Sequence, residues 1–282
     1  MAVELCIDDG IPWYLSPNIW VVPSDDPNDP AGMPFADTSA YVWARVRNRG
    51  TTPVMNASVR FYWADPSTVI TPTTATLIGA SAVSLAPAES KDVLCVTPWI
   101  PQFVNSGHEC LLAQSFAPSD PAPAQGANDP FNVASDRHTA QRNISVGAGA
   151  ARMMIIHPFV IANDKRFRAD HVVVRVKRAE LGLLKGLQRS LGFDRLPQEA
   201  NDVKDFGLQV YRCGQETEDI GQHEVKVLVA PGQHQGLALV IRRPEQFADG
   251  TAALFLIEQH SNGNPIGGLG FLAVPEWPRK TK

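Results

Sequence analysis

A chain of 282 residues, 44% hydrophobic and 19% charged, has the composition of a globular protein with enough length for two packed cores. Its 23 prolines and 21 glycines point to frequent turns and favour β over α structure, and the longest apolar run, residues 153–162, is too short for a membrane-spanning helix and is broken by His157-Pro158. The net charge of -4 hides a division: residues 1–147 carry 7 basic and 14 acidic side chains, whereas 148–282 carry 18 and 15, and the acidic first half argues against nucleic acid as a partner.

From the amino terminus, Met1-Ala2-Val3-Glu4 runs into Asp8-Asp9 with no basic start, apolar core or cleavage site of a secretory signal, which by itself implies the cytoplasm. Trp13 and Tyr14, framed by Pro12 and Pro17, are expected in an arm that buries its aromatic rings on the first domain. A short strand is expected over 19–22, followed by a proline-rich, acidic loop over 23–38. In that loop Asp25, Asp26, Asn28 and Asp29 offer hard oxygen ligands suited to calcium, but without EF-hand spacing, so a solvated loop is the preferred reading. Residues 39–65 hold two alternating segments, one with Val42, Ala44 and Val46 on a face, the other with Ala57, Val59, Phe61 and Trp63. Asn48-Arg49-Gly50 and Thr52-Pro53 are expected to turn the first back as a hairpin partner of the second. Further strands are expected over 75–80, 83–85, 92–97, 109–116 and 138–146, with Trp99 buried in a proline-framed corner.

Four blocks in this half resemble one family: Val46-Arg47-Asn48-Arg49-Gly50 with Ala57-Ser58-Val59-Arg60-Phe61-Tyr62, then Leu85-Ala86-Pro87-Ala88-Glu89-Ser90, then Gly107-His108-Glu109-Cys110-Leu111-Leu112-Ala113, and Ala140-Gln141-Arg142-Asn143. Their order and spacing over about residues 17–147 resemble the CARDB domain, named for bacterial cell-adhesion-related proteins. The resemblance implies an immunoglobulin-like sandwich and a cell-surface or extracellular setting. Its motifs are turns and core strands, so it brings no catalytic residue.

The small-residue run 147–151 reads as a hinge, dividing the chain into a domain over 1–147 and a second over 148–282. In the second, strands are expected over 153–161, 170–177, 206–213, 223–229, 236–241, 252–260 and 271–274, with a hairpin turn at 261–264. Gly267, Gly268 and Gly270 are expected to let the closing strand pack tightly or bulge. Between 179 and 191 the period changes: Leu183, Leu184, Leu187 and Leu191 share one face of a short amphipathic helix, weakened by Gly182 and Gly186. Its leucines are read as a cap on the sandwich, in preference to a membrane-surface contact aided by Lys185 and Arg189. The expected fold is therefore all-β, two immunoglobulin-like sandwiches with one helical insertion.

No pattern of residues assembles a catalytic or metal centre. Cys6, Cys95, Cys110 and Cys213 lack CxxC spacing and are read as buried thiols, with a Cys95–Cys110 bridge as the alternative. His108-Glu109-Cys110 lacks the HExxH spacing, and two ligands do not close a site. His223, His234 and His260 are dispersed over the second domain and support a hydrolase only if they converge. The sequons at Asn56 and Asn143 are read as chance matches. Trp13, Tyr14, Tyr41, Trp43 and Tyr62 are candidates for an aromatic binding surface, though coverage by the amino-terminal arm or the second domain is the preferred reading for Tyr41 and Trp43. Lys177, Lys185 and Arg189 are candidates for a face toward an anionic partner, against a merely solvated basic face. The sequence thus points to a non-enzymatic recognition or assembly protein of bacterial type, binding a protein partner through sheet faces and loops, without cofactor or metal. A carbohydrate-binding accessory module is the first alternative and a hydrolase the second.

Overall fold

A computed structural model describes residues 2–34, 37–64, 69–101, 110–148, 154–163, 168–210, 220–242 and 247–275. In chain order the strands are β1 Leu5–Cys6, β2 Ile19–Val22, β3 Tyr41–Asn48, β4 Val54–Ala64, β5 Ala75–Leu85, β6 Ser90–Leu94, β7 Cys110–Phe116, β8 Thr139–Arg142, β9 Ile144–Ala148, β10 Met154–Ala162, β11 Asp170–Ala179, β12 Gln198–Glu199, β13 Phe206–Val210, β14 Glu224–Val229, β15 His234–Arg242, β16 Thr251–Ser261 and β17 Asn264–Val274. They form two immunoglobulin-like β-sandwiches.

In the first, β3 is flanked by β1 and β2 on one side and β6 on the other, and this sheet faces a second one of order β5-β4-β7-β8. Val42, Ala44 and Val46 from β3 meet Ala57, Val59 and Phe61 from β4 in one buried core. The expected hairpin is corrected here: β3 and β4 do not pair but lie in opposite sheets. Two strands that each carry one apolar face bury both faces against each other only across the sandwich, and side-by-side pairing would leave both in need of a further cover. The crossing loop is held by the buried Asn48, whose Nδ2 donates to the Thr52 and Ala86 carbonyls while Oδ1 accepts from the Glu4 and Gly50 amides. The segments expected over 75–80 and 83–85 are one strand, β5, with an irregular register near Phe61 and Tyr62.

The second sandwich packs the three-stranded sheet β10-β15-β13 on the larger sheet β14-β11-β16-β17-β9, where β12 also pairs with β16. Phe159, Leu237, Leu239, Phe255, Ile257 and Phe271 fill its core. Pro158 lies within β10, which among the described residues pairs only with β15, an edge position where the missing amide is tolerated.

The strand expected over 138–146 is two strands. β8 closes the first sandwich beside β7, whereas β9 runs parallel to β17 in the second. Asn143 sits at the break, donating its backbone amide to the Tyr14 carbonyl and its Nδ2 to the Gly268 carbonyl, both at 2.8 Å. Its side chain is buried, so this sequon is closed in the folded protein. The sequon at Asn56 is exposed, on β4.

The helical insertion is two 3₁₀ turns, Leu181–Leu184 and Arg189–Leu191, rather than one continuous helix. The chain leaves helical geometry at Lys185 (ψ 121°) and Gly186 (φ +97°), the second a conformation that glycine takes at little cost. Leu184, Leu187 and Leu191 are nonetheless buried with Leu181, on the outer face of the large sheet against Leu254, Leu256 and Leu272. This cluster also receives Tyr14, Leu15 and Ile144 from the first half of the chain, so the leucines cover a seam between the two sandwiches and are withdrawn from any membrane surface.

Candidate functional site

The candidate aromatic residues divide between two places. Tyr14 is 1% exposed and lies over Gly268, where an added Cβ would come within 2.3 Å of its ring. The glycine expected to ease close packing of β17 therefore makes room for the amino-terminal arm. The Tyr14 hydroxyl donates to Glu258 Oε1 at 3.2 Å, and burial followed by that carboxylate pushes the phenol well above its usual range. Glu258 also accepts from Lys177 Nζ at 3.0 Å and lies 3.6 Å from His260 Nε2. Trp13 meets the Tyr14 ring edge-on, 5.3 Å between centroids, and reaches a small cluster around Leu112 and Phe131. Tyr62 belongs to that same cluster, 5.6 Å from Phe131. The arm thus packs on both sandwiches, not on the first alone.

Tyr41 and Trp43 lie elsewhere, on the outer face of β3. Trp43 stacks on Trp20 of β2 with centroids 6.1 Å apart and planes 5° from parallel, and the Arg45 guanidinium lies over the Trp20 ring at 5.9 Å. Arg45 in turn makes a two-pronged bond to Asp92 at 2.7 and 3.0 Å, the first reason its basicity is raised. The Trp43 indole N–H donates to the Pro27 carbonyl, so it is the loop between β2 and β3, rather than the expected arm, that reaches the edge of this ring. Trp20 escaped the sequence reading although its alternation with Ile19 and Val21 marks it as outward-facing.

That acidic loop is braced by itself. Asp26 Oδ1 accepts from the amide and side chain of Asn28, both at 2.9 Å, which lowers its pKa, and Asp29 accepts from Ser24. Among the described residues no group of three or more His, Cys, Asp or Glu side chains is disposed to hold a metal ion.

Of the candidate basic face, Lys177 is engaged by Glu258, whereas Lys185 and Arg189 stand exposed on the 3₁₀ turns. The histidines do not form one constellation: His223 stacks on Phe206 at 4.6 Å, His234 opens β15 opposite Ala162, and His260 faces Glu258. A cleft of about 520 Å³ beside β12 is lined by Arg178, Glu180, Glu199 and Asn201, but the Arg178 guanidinium is used on the Val203 and Ala200 carbonyls. Cys6, Cys95 and Cys110 are free and buried; His108 and Cys213 lie outside the described residues. Burial pushes the Cys6 thiol up to about 11 and Cys110 well above its usual value, the opposite of an activated nucleophile.

Sequence reasoning also missed an end of the first sandwich. Leu77 on β5, Val96 after β6 and Ile100 before β7 are 53%, 66% and 60% exposed. All three lie toward the end where β5 begins and β6 finishes, and Thr97, next to Val96, packs against Gly79 of β5. The signal was present only as apolar residues in or beside turn-forming sequence, which periodicity does not distinguish from core.

No protein-family model matches the chain, and no curated protein sequence matches it. Among solved structures, it is similar to the CARDB domain of a Pyrococcus furiosus protein in complex with di-metal ions, at 17% identity over 50% of this chain and 90% of that one, with a TM-score of 0.28. It is also similar to a collagen adhesin from S. aureus, at 7% identity over 90% and 91% of the two chains with a TM-score of 0.25. A third is a β-glucosidase from Streptomyces venezuelae, at 18% identity over 49% of this chain but 14% of that one, again with a TM-score of 0.25. Likenesses this distant carry no argument about activity, ligand or metal.

Proposed function

We propose that the protein is a non-enzymatic recognition or assembly component of bacterial type, in which a CARDB-like domain over 1–147 and a second domain over 148–282 present sheet faces and loops to a protein partner. The observation that carries this reading is the group Leu77, Val96 and Ile100, three large apolar side chains left in water at one loop-bearing end of a sandwich. Scattered exposed aliphatics are ordinary, but several at one end of a rigid scaffold form the kind of surface that a protein interface desolvates. The dispersed histidines favour it over a hydrolase. The stack of Trp20 on Trp43, with Arg45 over Trp20, engages ring faces that a sugar platform would use and so weighs against that alternative.

The test is capture from lysate and surface fractions of the source cells, using the full chain and a Leu77→Ser, Val96→Ser, Ile100→Ser variant of matched melting temperature. The reading expects a stoichiometric protein partner on the wild type and at least about tenfold less on the variant, from the loss of buried apolar area. Equal retention by both would contradict the assigned end, and retention of polysaccharide alone would favour the carbohydrate alternative.

A further inference from the structure

We propose that Asp9 is a protonation latch: on taking up a proton it holds the amino-terminal segment, and the Tyr14 strap that follows, more tightly on the rest of the molecule. The segment before it is tied at nearly every step. The Ala2 and Glu4 carbonyls accept from the Thr51 and Arg49 amides, the Leu5 amide donates to Asp120 Oδ2 at 2.6 Å, and the Ile7 amide donates to the Arg137 carbonyl at 3.0 Å. The Asp8 carbonyl accepts from Ser16 Oγ and Asn18 Nδ2 at 2.7 and 2.9 Å.

Asp9 is the exception. Its Oδ1 is shielded from water and accepts no hydrogen bond. The carboxylates beside it are Asp8 and Asp136, and both already have donors. Asp8 is paired with Arg49 and approached by Cys6 Sγ, while Asp136 accepts from the His138 amide, His138 Nδ1 and Thr139 Oγ1 at 3.1, 2.8 and 2.9 Å. The other cation nearby, Arg137, is bound to Asp120, which also lies 3.4 Å from His138 Nε2. Among the described residues each of these cations thus has its own carboxylate, and Asp9 has none. A shielded oxygen without a donor, next to two engaged aspartates, is relieved by a proton. Consistently, burial first, then Asp8 and Asp136, raise its pKa to about 7.

The sign follows from linkage. The folded pKa lies above the unfolded one, so the penalty is complete above about pH 7 and is removed as pH falls through 7 toward 4. Transmission to Tyr14 is short. Gly10 packs against the Leu15 carbonyl, the Leu15 amide donates to the Pro12 carbonyl at 2.9 Å, and Tyr14 lies on Gly268 and Glu258 of the second sandwich.

Amide exchange of residues 2–15, compared between wild type and Asp9→Asn at each pH, tests the latch. At pH 8 the variant is expected to exchange about tenfold more slowly, a figure reduced for partial exposure, and at pH 5 the two should coincide. Faster exchange of the variant at pH 8, or the same ratio at both pH values, would overturn the proposal. A carboxyl carbon NMR titration of the wild type stands independently of how the variant folds. A midpoint near 7 accompanied by shifts at Tyr14 supports the latch, and a midpoint below about 5 overturns it.

Discussion

Two outer sheet faces of this molecule are covered in opposite ways. On the large sheet of the second sandwich, Leu181, Leu184, Leu187, Leu191, Tyr14 and Leu15 build an apolar roof that is almost fully buried and draws on both halves of the chain. On β2 and β3 of the first, Trp43, Trp20 and Arg45 form a half-exposed ladder closed by Asp92 and the Pro27 carbonyl. Aromatic residues that look alike in the sequence thus hold separate structures together, one by burial between sandwiches and one by stacking on a wet surface. Among the described residues, the large hydrophobic side chains left exposed include no aromatic ring.

The contrast can be broken most severely at the roof. Leu184→Ala removes one of its fully buried side chains and is expected to cost about 3 kcal/mol, read from the denaturation midpoint. Gly268→Ala drives a methyl group into the Tyr14 ring and is expected to cost about 2 kcal/mol. Combined with Tyr14→Ala, that cost should be much less than additive; full additivity would separate the glycine from the strap. On the ladder, Arg45→Ala cuts an exposed ion pair and should change stability by less than about 0.5 kcal/mol.

Much of this was readable in the sequence. The alternation in β3 and β4 identified which side chains are core, because a period of two follows from the pleat alone. It did not say which strands pair, since burial across a sandwich and pairing within a sheet demand the same pattern, and the hairpin expectation failed there. Of the four leucines read as one face, Leu184, Leu187 and Leu191 are buried and Leu183 only partly, and the expected helix is not formed, as tertiary burial held them while Gly186 ended the helical geometry. Asn143 was legible as a sequon and as the end of the last CARDB-like block; its role at the crossing from β8 to β9 depends on the parallel pairing of β9 with β17, residues far apart in the chain. Of the site, Tyr41 and Trp43 were placed on the face of their strand opposite Val42, Ala44 and Val46, with a cover expected over them, but Trp20, the partner of Trp43 by register, was not recognised, and neither were the exposed Leu77, Val96 and Ile100.

The central claim, that the aromatic residues brace the fold and leave recognition to aliphatic side chains, is tested most directly by Trp43→Ala, measuring thermal stability and retention on immobilised polysaccharides together. The account predicts a loss of about 1 to 2 kcal/mol from the broken stack, with no polysaccharide retained by wild type or variant. Unchanged stability with polysaccharide retained by the wild type and lost by the variant would contradict it, and would make the ladder the binding site.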